Sequence, residues 1–190
     1  MTDYVDRYLF EAGSVLDGLD RSVLRDMIRR MRDLRDRSGR LFITGVGGSA
    51  ANASHAVNDF RKIGDIESYA PTDNVAELTA WINDESWETS IVRWLEGSRL
   101  RDTDGLMILS VGGGSDTTSR NLVAAMDYAK KIGAEVFAIV GRDGGHAARV
   151  ADATVLIPPQ SDDTITPLAE SFQAIVWHLL VTGINSEDQS

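Results

Sequence analysis

The sequence predicts an α/β fold in which a parallel β-sheet is covered by helices on both faces. Its short apolar runs are continuous instead of alternating with polar residues, which is typical of strands buried on both sides. Segments with helical periodicity separate these runs along the chain. A length of 190 residues fits one domain with a full hydrophobic core. Alternating strands and helices of this kind favour a three-layer arrangement.

The chain opens with two segments of helical periodicity. Apolar residues recur every three or four positions at Val5, Leu9, Ala12, Leu16 and Leu19, and again at Val23, Met27, Met31 and Leu34. Ser38 and Gly39 then end the second segment. Two helices over residues 1–38 are therefore predicted before the first strand.

The rest of the chain alternates between predicted strands and helices. The predicted strands are Leu41–Thr44, Glu67–Tyr69, Leu106–Val111, Glu135–Val140 and Ala153–Ile157. The predicted helices run from the first glycine loop to about Lys62 and over 74–83, 85–98, 117–132 and 166–182. The polar tail NSEDQS, residues 185–190, is predicted to be disordered.

Composition limits the partners that the chain can have. The formal net charge is -10, and the one basic stretch, residues 29–37, is interleaved with Asp33 and Asp36, so we expect no nucleic-acid binding. No apolar run approaches the ~18 residues of a membrane span, and the first residues do not form a signal peptide. We therefore expect a cytoplasmic protein. Any anionic ligand should be held by local dipoles and hydroxyl groups, because the chain as a whole is acidic.

Two glycine- and serine-rich loops each follow a strand and precede a helix. They are GVGGS, residues 45–49, and SVGGGS, residues 110–115. Glycines let backbone N–H groups turn toward an anion, and a following helix adds its positive N-terminal dipole. Tight strand-to-helix turns are the alternative, but two loops in the same context favour phosphate binding. The candidate ligand-binding residues are Gly47, Gly48, Ser49, Ser110, Gly112, Gly113 and Ser115.

The candidate proton-transfer or metal-binding residues lie on two of the predicted helices. His55 and Asp59 are four residues apart and share a helix face. Glu170 and His178 are eight residues apart, so they lie about 80° apart around the helix and roughly 12 Å along it. Spacing alone leaves His178 open to a role in core packing. His146, which follows GRDGG, is interpreted as a surface residue.

The motifs GVGGSAANASH, TDNVAELTAWINDE, SVGGGS and GRDGG, in this order, resemble the sugar-isomerase (SIS) domain, and within it the phosphoheptose isomerases. The resemblance runs over essentially the whole chain. It implies a single SIS domain over 1–190 with a flavodoxin-like three-layer core over 39–184, a helical oligomerisation segment over 1–38 and a tail over 185–190. It also implies a homotetramer.

The resemblance further implies the chemistry. Members of the family isomerise sedoheptulose 7-phosphate to D-glycero-D-manno-heptose 7-phosphate through a cis-enediol. The matching positions imply a divalent metal, zinc in the family, held by His55, Asp59, Glu170 and His178. They also imply Asp59 as base, His178 as acid and Asp84 as a substrate-binding residue.

Several positions depart from the usual family pattern, and they leave alternatives open. Val46 replaces an Asn, Pro167 replaces an Asp, and SVGGGS has fewer hydroxyl groups than the usual second loop. The alternatives are isomerisation of another ketose or aminosugar phosphate, a non-catalytic scaffold that binds a replication initiator, and a sugar-phosphate-sensing module.

Overall fold

The computed structural model describes residues 3–186 of the chain. Its helices are α1 (Tyr4–Gly18), α2 (Arg21–Asp36), α3 (Gly48–Lys62), α4 (Val75–Asp84), α5 (Ser90–Gly97), α6 (Arg120–Ile132), α7 (Ala147–Val150) and α8 (Ile165–Gly183), with a 3-10 helix at Pro71–Asp73. Its strands are β1 (Leu41–Gly45), β2 (Ser68–Tyr69), β3 (Gly105–Ser110), β4 (Glu135–Val140) and β5 (Ala153–Leu156). Within residues 3–186 no helix has both the length and the apolar character needed to cross a bilayer.

The strands of the described chain form one five-stranded sheet in the order β2-β1-β3-β4-β5, and every pairing is parallel. After β1 the chain forms β2, which pairs with one side of β1, and then β3, which pairs with the other side of β1. The loops after β1 and β3 therefore separate at a topological switch point, where ligands of open α/β sheets bind. The predicted fold is confirmed, and both glycine loops lie at this switch point.

Two hydrophobic cores lie on opposite faces of the sheet, because successive strand residues point to opposite sides. Leu41 and Ile43 face the core formed with α1, α2, α3 and α8. Phe42, between them, faces the core formed with α5, α6 and α7. Nearly every position of β1, β3 and β4 is buried by helices on one side or the other, which explains why these strands read as continuous apolar runs.

Some predicted boundaries move. The helix predicted from Thr117 begins at Arg120, since Oγ of Ser115 accepts hydrogen bonds from the backbone N–H groups of Thr117 and Thr118 and forms a turn first. Two residues of the predicted disordered tail are held in place: Asn185 Nδ2 donates to the carbonyl of Ile63, and Arg32 donates to the carbonyl of Ser186. The other four tail residues lie outside the described residues.

Helix α1 leaves much of its apolar side uncovered. Val15 is fully buried on the core side, but several large apolar side chains of this helix are more than half exposed. They are Tyr4, Val5, Leu9, Phe10 and Leu16. Exposed apolar side chains in this number on one helix are typical of an interface with another protein chain.

Candidate active site

Helices α3 and α8 pack side by side and run in the same direction. Near the start of α3, Asn52 Nδ2 donates to the carbonyl of Glu170 and to Oε1 of Gln173. One turn further along, the His55 ring packs edge-on against Trp177 of α8, with ring centroids 4.8 Å apart. The two helices therefore bring side chains that are far apart in sequence together along the seam between α3 and α8, which is called the groove below.

At the far end of this groove, His55, Asp59 and His178 converge, as the sequence predicts. One ligand atom from each lies within 4.8 Å of the others. Oδ2 of Asp59 is 3.8 Å from Nε2 of His55 and 3.6 Å from Nε2 of His178. The Asp59 side chain is only 13% exposed, whereas those of His55 and His178 are 59% and 48% exposed. The carboxylate thus forms the floor of the cluster and the imidazoles form its rim.

The donor set of this cluster fits a metal ion. Nδ1 of His178 lies 2.7 Å from the carbonyl oxygen of Ala174, and because a carbonyl only accepts, Nδ1 carries the proton. Nε2 is therefore left with a lone pair that faces the Asp59 carboxylate. The separations are too long for hydrogen bonds, and the three ligand atoms lie close enough together to surround one cation. A histidine fixed by a backbone carbonyl is also the usual arrangement for a metal ligand.

Glu170, the fourth ligand implied by the resemblance, is not brought into this cluster. Its carboxylate lies over the first residue of α3, with Oε2 only 2.5 Å from the place where a Cβ on Gly48 would stand. Gly48 leaves room for Glu170 because it has no side chain. The eight-residue spacing to His178 separates the two residues along α8, as its helical rise requires.

At the other end of the groove, the two glycine loops enclose a cavity of about 750 Å³. Four of the predicted residues line it, namely Ser49, Ser110, Gly112 and Ser115. Gly114 of the second loop also lines it, although it was not singled out from the sequence. Oγ of Ser110 accepts from the N–H of Gly113, and Oγ of Ser115 accepts from two loop N–H groups. Both serines use acceptor capacity inside the loop, which leaves their O–H groups suited to donate to an oxyanion.

The other predicted binding residues do not line this cavity. Gly47 and Gly48 lie at the start of α3, where Gly47 has a φ of +64° and open space on its side-chain side. Gly113 instead packs against the loop after β4, where a Cβ would overlap the carbonyl oxygen of Gly144. Asp84 ends α4 as an exposed residue, and its carboxylate accepts from Asn83.

The sequence predicts dipoles and hydroxyl groups at an anion site, and the cavity lining also contains two cations. Arg142 and Arg149, from the loop after β4 and from α7, line the same cavity, and so does Thr166 in the first turn of α8. The net charge of the chain averages over the whole surface and conceals two cations at one site. The position of GRDGG directly after a strand was the signal, since the ends of parallel strands meet at one sheet edge.

Comparison with known proteins gives a consistent picture. No protein-family model matches the chain. It is 31% identical over 150 residues to the phosphoheptose isomerase of Sulfurimonas denitrificans, covering 76% of this chain and 72% of that protein. It is 36% identical over 144 residues to the lincomycin biosynthesis protein LmbN of Streptomyces lincolnensis, which is 72% of this chain and 52% of LmbN. The alignment thus spans about half the length of LmbN.

A solved structure shares the fold. Phosphoheptose isomerase GmhA from Neisseria gonorrhoeae superposes with a TM-score of 0.81 at 24% identity, over 94% of each chain. The identity to the Sulfurimonas denitrificans protein extends over more than two thirds of both chains. The chain therefore belongs to the phosphoheptose isomerase family.

Proposed function

We propose that the protein isomerises sedoheptulose 7-phosphate to D-glycero-D-manno-heptose 7-phosphate through a cis-enediol. The observation that carries this proposal is the convergence of His55, Asp59 and His178 on one groove whose other end is the glycine-loop cavity. Such an arrangement suits a substrate with a phosphate at one end and a reactive carbonyl at the other. Membership of the phosphoheptose isomerase family supports the identity of the sugar.

Aldose–ketose isomerisation moves a proton between two neighbouring carbons, and each step needs a base and an acid. We assign the base to Asp59, whose carboxylate is nearly buried and free of salt bridges to Lys or Arg among the described residues. We assign the acid to His178. Because Nδ1 is held by the carbonyl of Ala174, Nε2 is the one ring nitrogen left for either role, as metal ligand or as proton carrier to the substrate oxygens. Ser49, Ser110 and Ser115 would hold the phosphate from the cavity walls.

A divalent metal, for which we propose zinc, would be held by His55, Asp59 and His178 and, when bound, would act as a Lewis acid toward the negative charge that develops on the substrate oxygens. Two imidazoles and one carboxylate leave a coordination position open for substrate, as in other catalytic zinc sites. Glu170 remains a predicted ligand that would have to move to join this set.

We further propose that the protein is a homotetramer of the cytoplasm. The uncovered apolar side of α1, which includes Leu9, Phe10 and Leu16, supports an oligomer, because its burial between copies would remove a large apolar area from water. The two histidines of the cluster are also half-exposed in the single chain, so a second copy could close the site.

The experiment that tests the function is incubation of purified, metal-loaded protein with sedoheptulose 7-phosphate, followed by chromatographic detection of heptose 7-phosphate. We expect product, loss of activity in chelator and no turnover by Asp59→Asn. The matched control is Asp33→Asn, which removes an exposed carboxylate that pairs with Arg29 on α2 and should leave turnover unchanged. No product from the metal-loaded protein would overturn the proposal, and chelator-resistant turnover would overturn the metal's role.

A further inference from the structure

We propose that Arg142 and Arg149 recognise the phosphate group in the glycine-loop cavity and set the preference for phosphorylated over neutral sugars. This inference rests on the proposed function, since that function places a phosphate in the cavity. Both residues line the cavity together with Ser110 and Ser115. Among residues 3–186 they are the cationic side chains that do so.

The segment that carries both arginines is fixed to the second glycine loop. The N–H groups of His146 and Ala147 donate to the carbonyls of Gly114 and Gly113, at 2.9 and 3.0 Å. The N–H of Gly141 likewise donates to the carbonyl of Val111, at 3.1 Å. Glycines make this contact possible, because a Cβ on Gly113 would overlap the carbonyl oxygen of Gly144. Arg142 and Arg149 are thus held beside the serines by backbone contacts on both sides.

Arg142 has a backbone conformation that is unusual for a residue with a side chain. Its φ is +52°, in the left-handed region that favours glycine. Its guanidinium makes no hydrogen bond, salt bridge or aromatic contact in the part of the chain that the structure describes. An unpaired cation on a strained backbone at a cavity wall is a typical arrangement at ligand-binding sites.

The charges in the cavity show why both cations matter. Asp116 and Asp143 also line it, so two arginines and two carboxylates give a lining with no net charge. Asp143 is turned to its own loop, where Oδ1 accepts from the N–H of Gly145. Within residues 3–186 the side chain of Arg149 makes one hydrogen-bond contact, at 3.5 Å to Nδ1 of His146. Removal of either arginine leaves the lining net negative, which repels a phosphate dianion.

A guanidinium binds phosphate through paired, charge-assisted hydrogen bonds that a neutral hydroxyl of the sugar cannot match. The two arginines therefore act on substrate binding at the end remote from the reacting carbons. They should raise affinity for the phosphorylated sugar and leave the proton-transfer groups, Asp59 and His178, unaffected.

The test is calorimetric titration of inorganic phosphate into the purified protein and into Arg142→Gln and Arg149→Gln. We expect each variant to bind phosphate about 10- to 100-fold more weakly, as the loss of a charge-assisted hydrogen bond predicts. The matched control is Arg99→Gln: Arg99 is exposed and has the same φ of +52°, but it does not line the cavity. It should bind phosphate as the wild type does.

A second measurement separates recognition from a structural role. Arg142→Gly relieves the left-handed strain, so it should unfold at a temperature no lower than wild type while losing phosphate affinity. With sedoheptulose 7-phosphate, both glutamine variants should show a raised KM and a retained kcat. Wild-type-like phosphate binding by either variant would overturn the role of that arginine, and no phosphate binding by the wild type would overturn both. Arginine-dependent phosphate binding without any turnover would overturn the proposed function alone.

Discussion

Nε2 of His178 faces Oδ2 of Asp59 across 3.6 Å, while the other ring nitrogen of His178 donates to the carbonyl of Ala174. The carbonyl of Ala174 places the ring proton of His178 on Nδ1. Nε2 therefore keeps its lone pair, which points toward the carboxylate of Asp59. His55 directs a second ring nitrogen at the same oxygen, 3.8 Å away. Three electron-rich atoms with this spacing are arranged for a cation between them.

We expect His55→Ala and His178→Ala each to weaken Co²⁺ binding by at least about 100-fold. Loss of a group that only hydrogen-bonds to a metal ligand already lowers metal affinity about 10- to 100-fold, and loss of the ligand itself should cost more. Absorption of bound Co²⁺ in the visible range measures this directly. The control is His146→Ala, whose ring pairs with Asp127 at 2.7 Å outside the cluster. Equal Co²⁺ affinity in all four proteins would contradict the metal site.

Glu170→Gln should leave Co²⁺ affinity within about threefold of wild type, since the carboxylate lies over Gly48 and outside the cluster. Asp59→Asn, which makes the same chemical change inside the cluster, should lose most of the affinity. The same Co²⁺ titration compares the two. A large loss in Glu170→Gln would mean that Glu170 moves to join the ligands.

Gly113→Ala should destabilise the fold more than Gly47→Ala. Both glycines have positive φ, +68° and +64°, so alanine is strained at each by about 1–3 kcal/mol. At Gly47 the added methyl group meets open space, whereas at Gly113 it overlaps the backbone of Gly144. Urea denaturation gives both free energies of unfolding. Equal losses would show that the two loops are not packed as described.

The stability of the chain should depend on pH through Glu11. This buried carboxylate accepts hydrogen bonds from Thr164 and Ser161 and pairs with Arg7, and these contacts, led by the one from Thr164, lower its pKa below the ordinary 4.5. A lowered folded-state pKa means that the unfolded chain binds more protons between the two values. The stabilisation is therefore complete above about pH 5 and is lost as the pH falls through the folded-state pKa.

Urea denaturation of wild type and Glu11→Gln from pH 7 to pH 3 measures this contribution. The difference between the two free energies of unfolding should shrink as the pH falls. Asp6→Asn, which neutralises an exposed carboxylate of the same helix, serves as the control and should retain the wild-type pH dependence. A pH-independent difference between wild type and Glu11→Gln would contradict the role of Glu11.

The fold could be predicted from sequence because each of its layers leaves a periodic pattern. Leu41, Phe42 and Ile43 are buried alternately in two cores, so the strand reads as an unbroken apolar run. The pairing of His55 with Asp59 also follows from a helical spacing of four residues. Both inferences depend only on local geometry, which the sequence records directly.

The rest of the site depends on contacts between elements. The position of Glu170 is set by how α8 packs on α3, where Gly48 makes room for its carboxylate. Arg142 and Arg149 reach the cavity because the loop after β4 is hydrogen-bonded to the loop after β3. No periodicity within either segment encodes these contacts. The net charge of the chain pointed away from cations, and only the position of GRDGG directly after a strand pointed toward this edge of the sheet.

Helix α3 carries both ends of the groove, with Ser49 at the cavity and His55 in the metal cluster. Six residues separate them, which is a rise of about 9 Å along a rigid helix. The distance between the phosphate and the reacting carbonyl is therefore set by the spacing of these two positions on α3. The number of carbons in the sugar must match that distance. Sugar phosphates with shorter chains should bind the cavity as competitive inhibitors and should not turn over, because their carbonyl group falls short of the cluster that begins at His55.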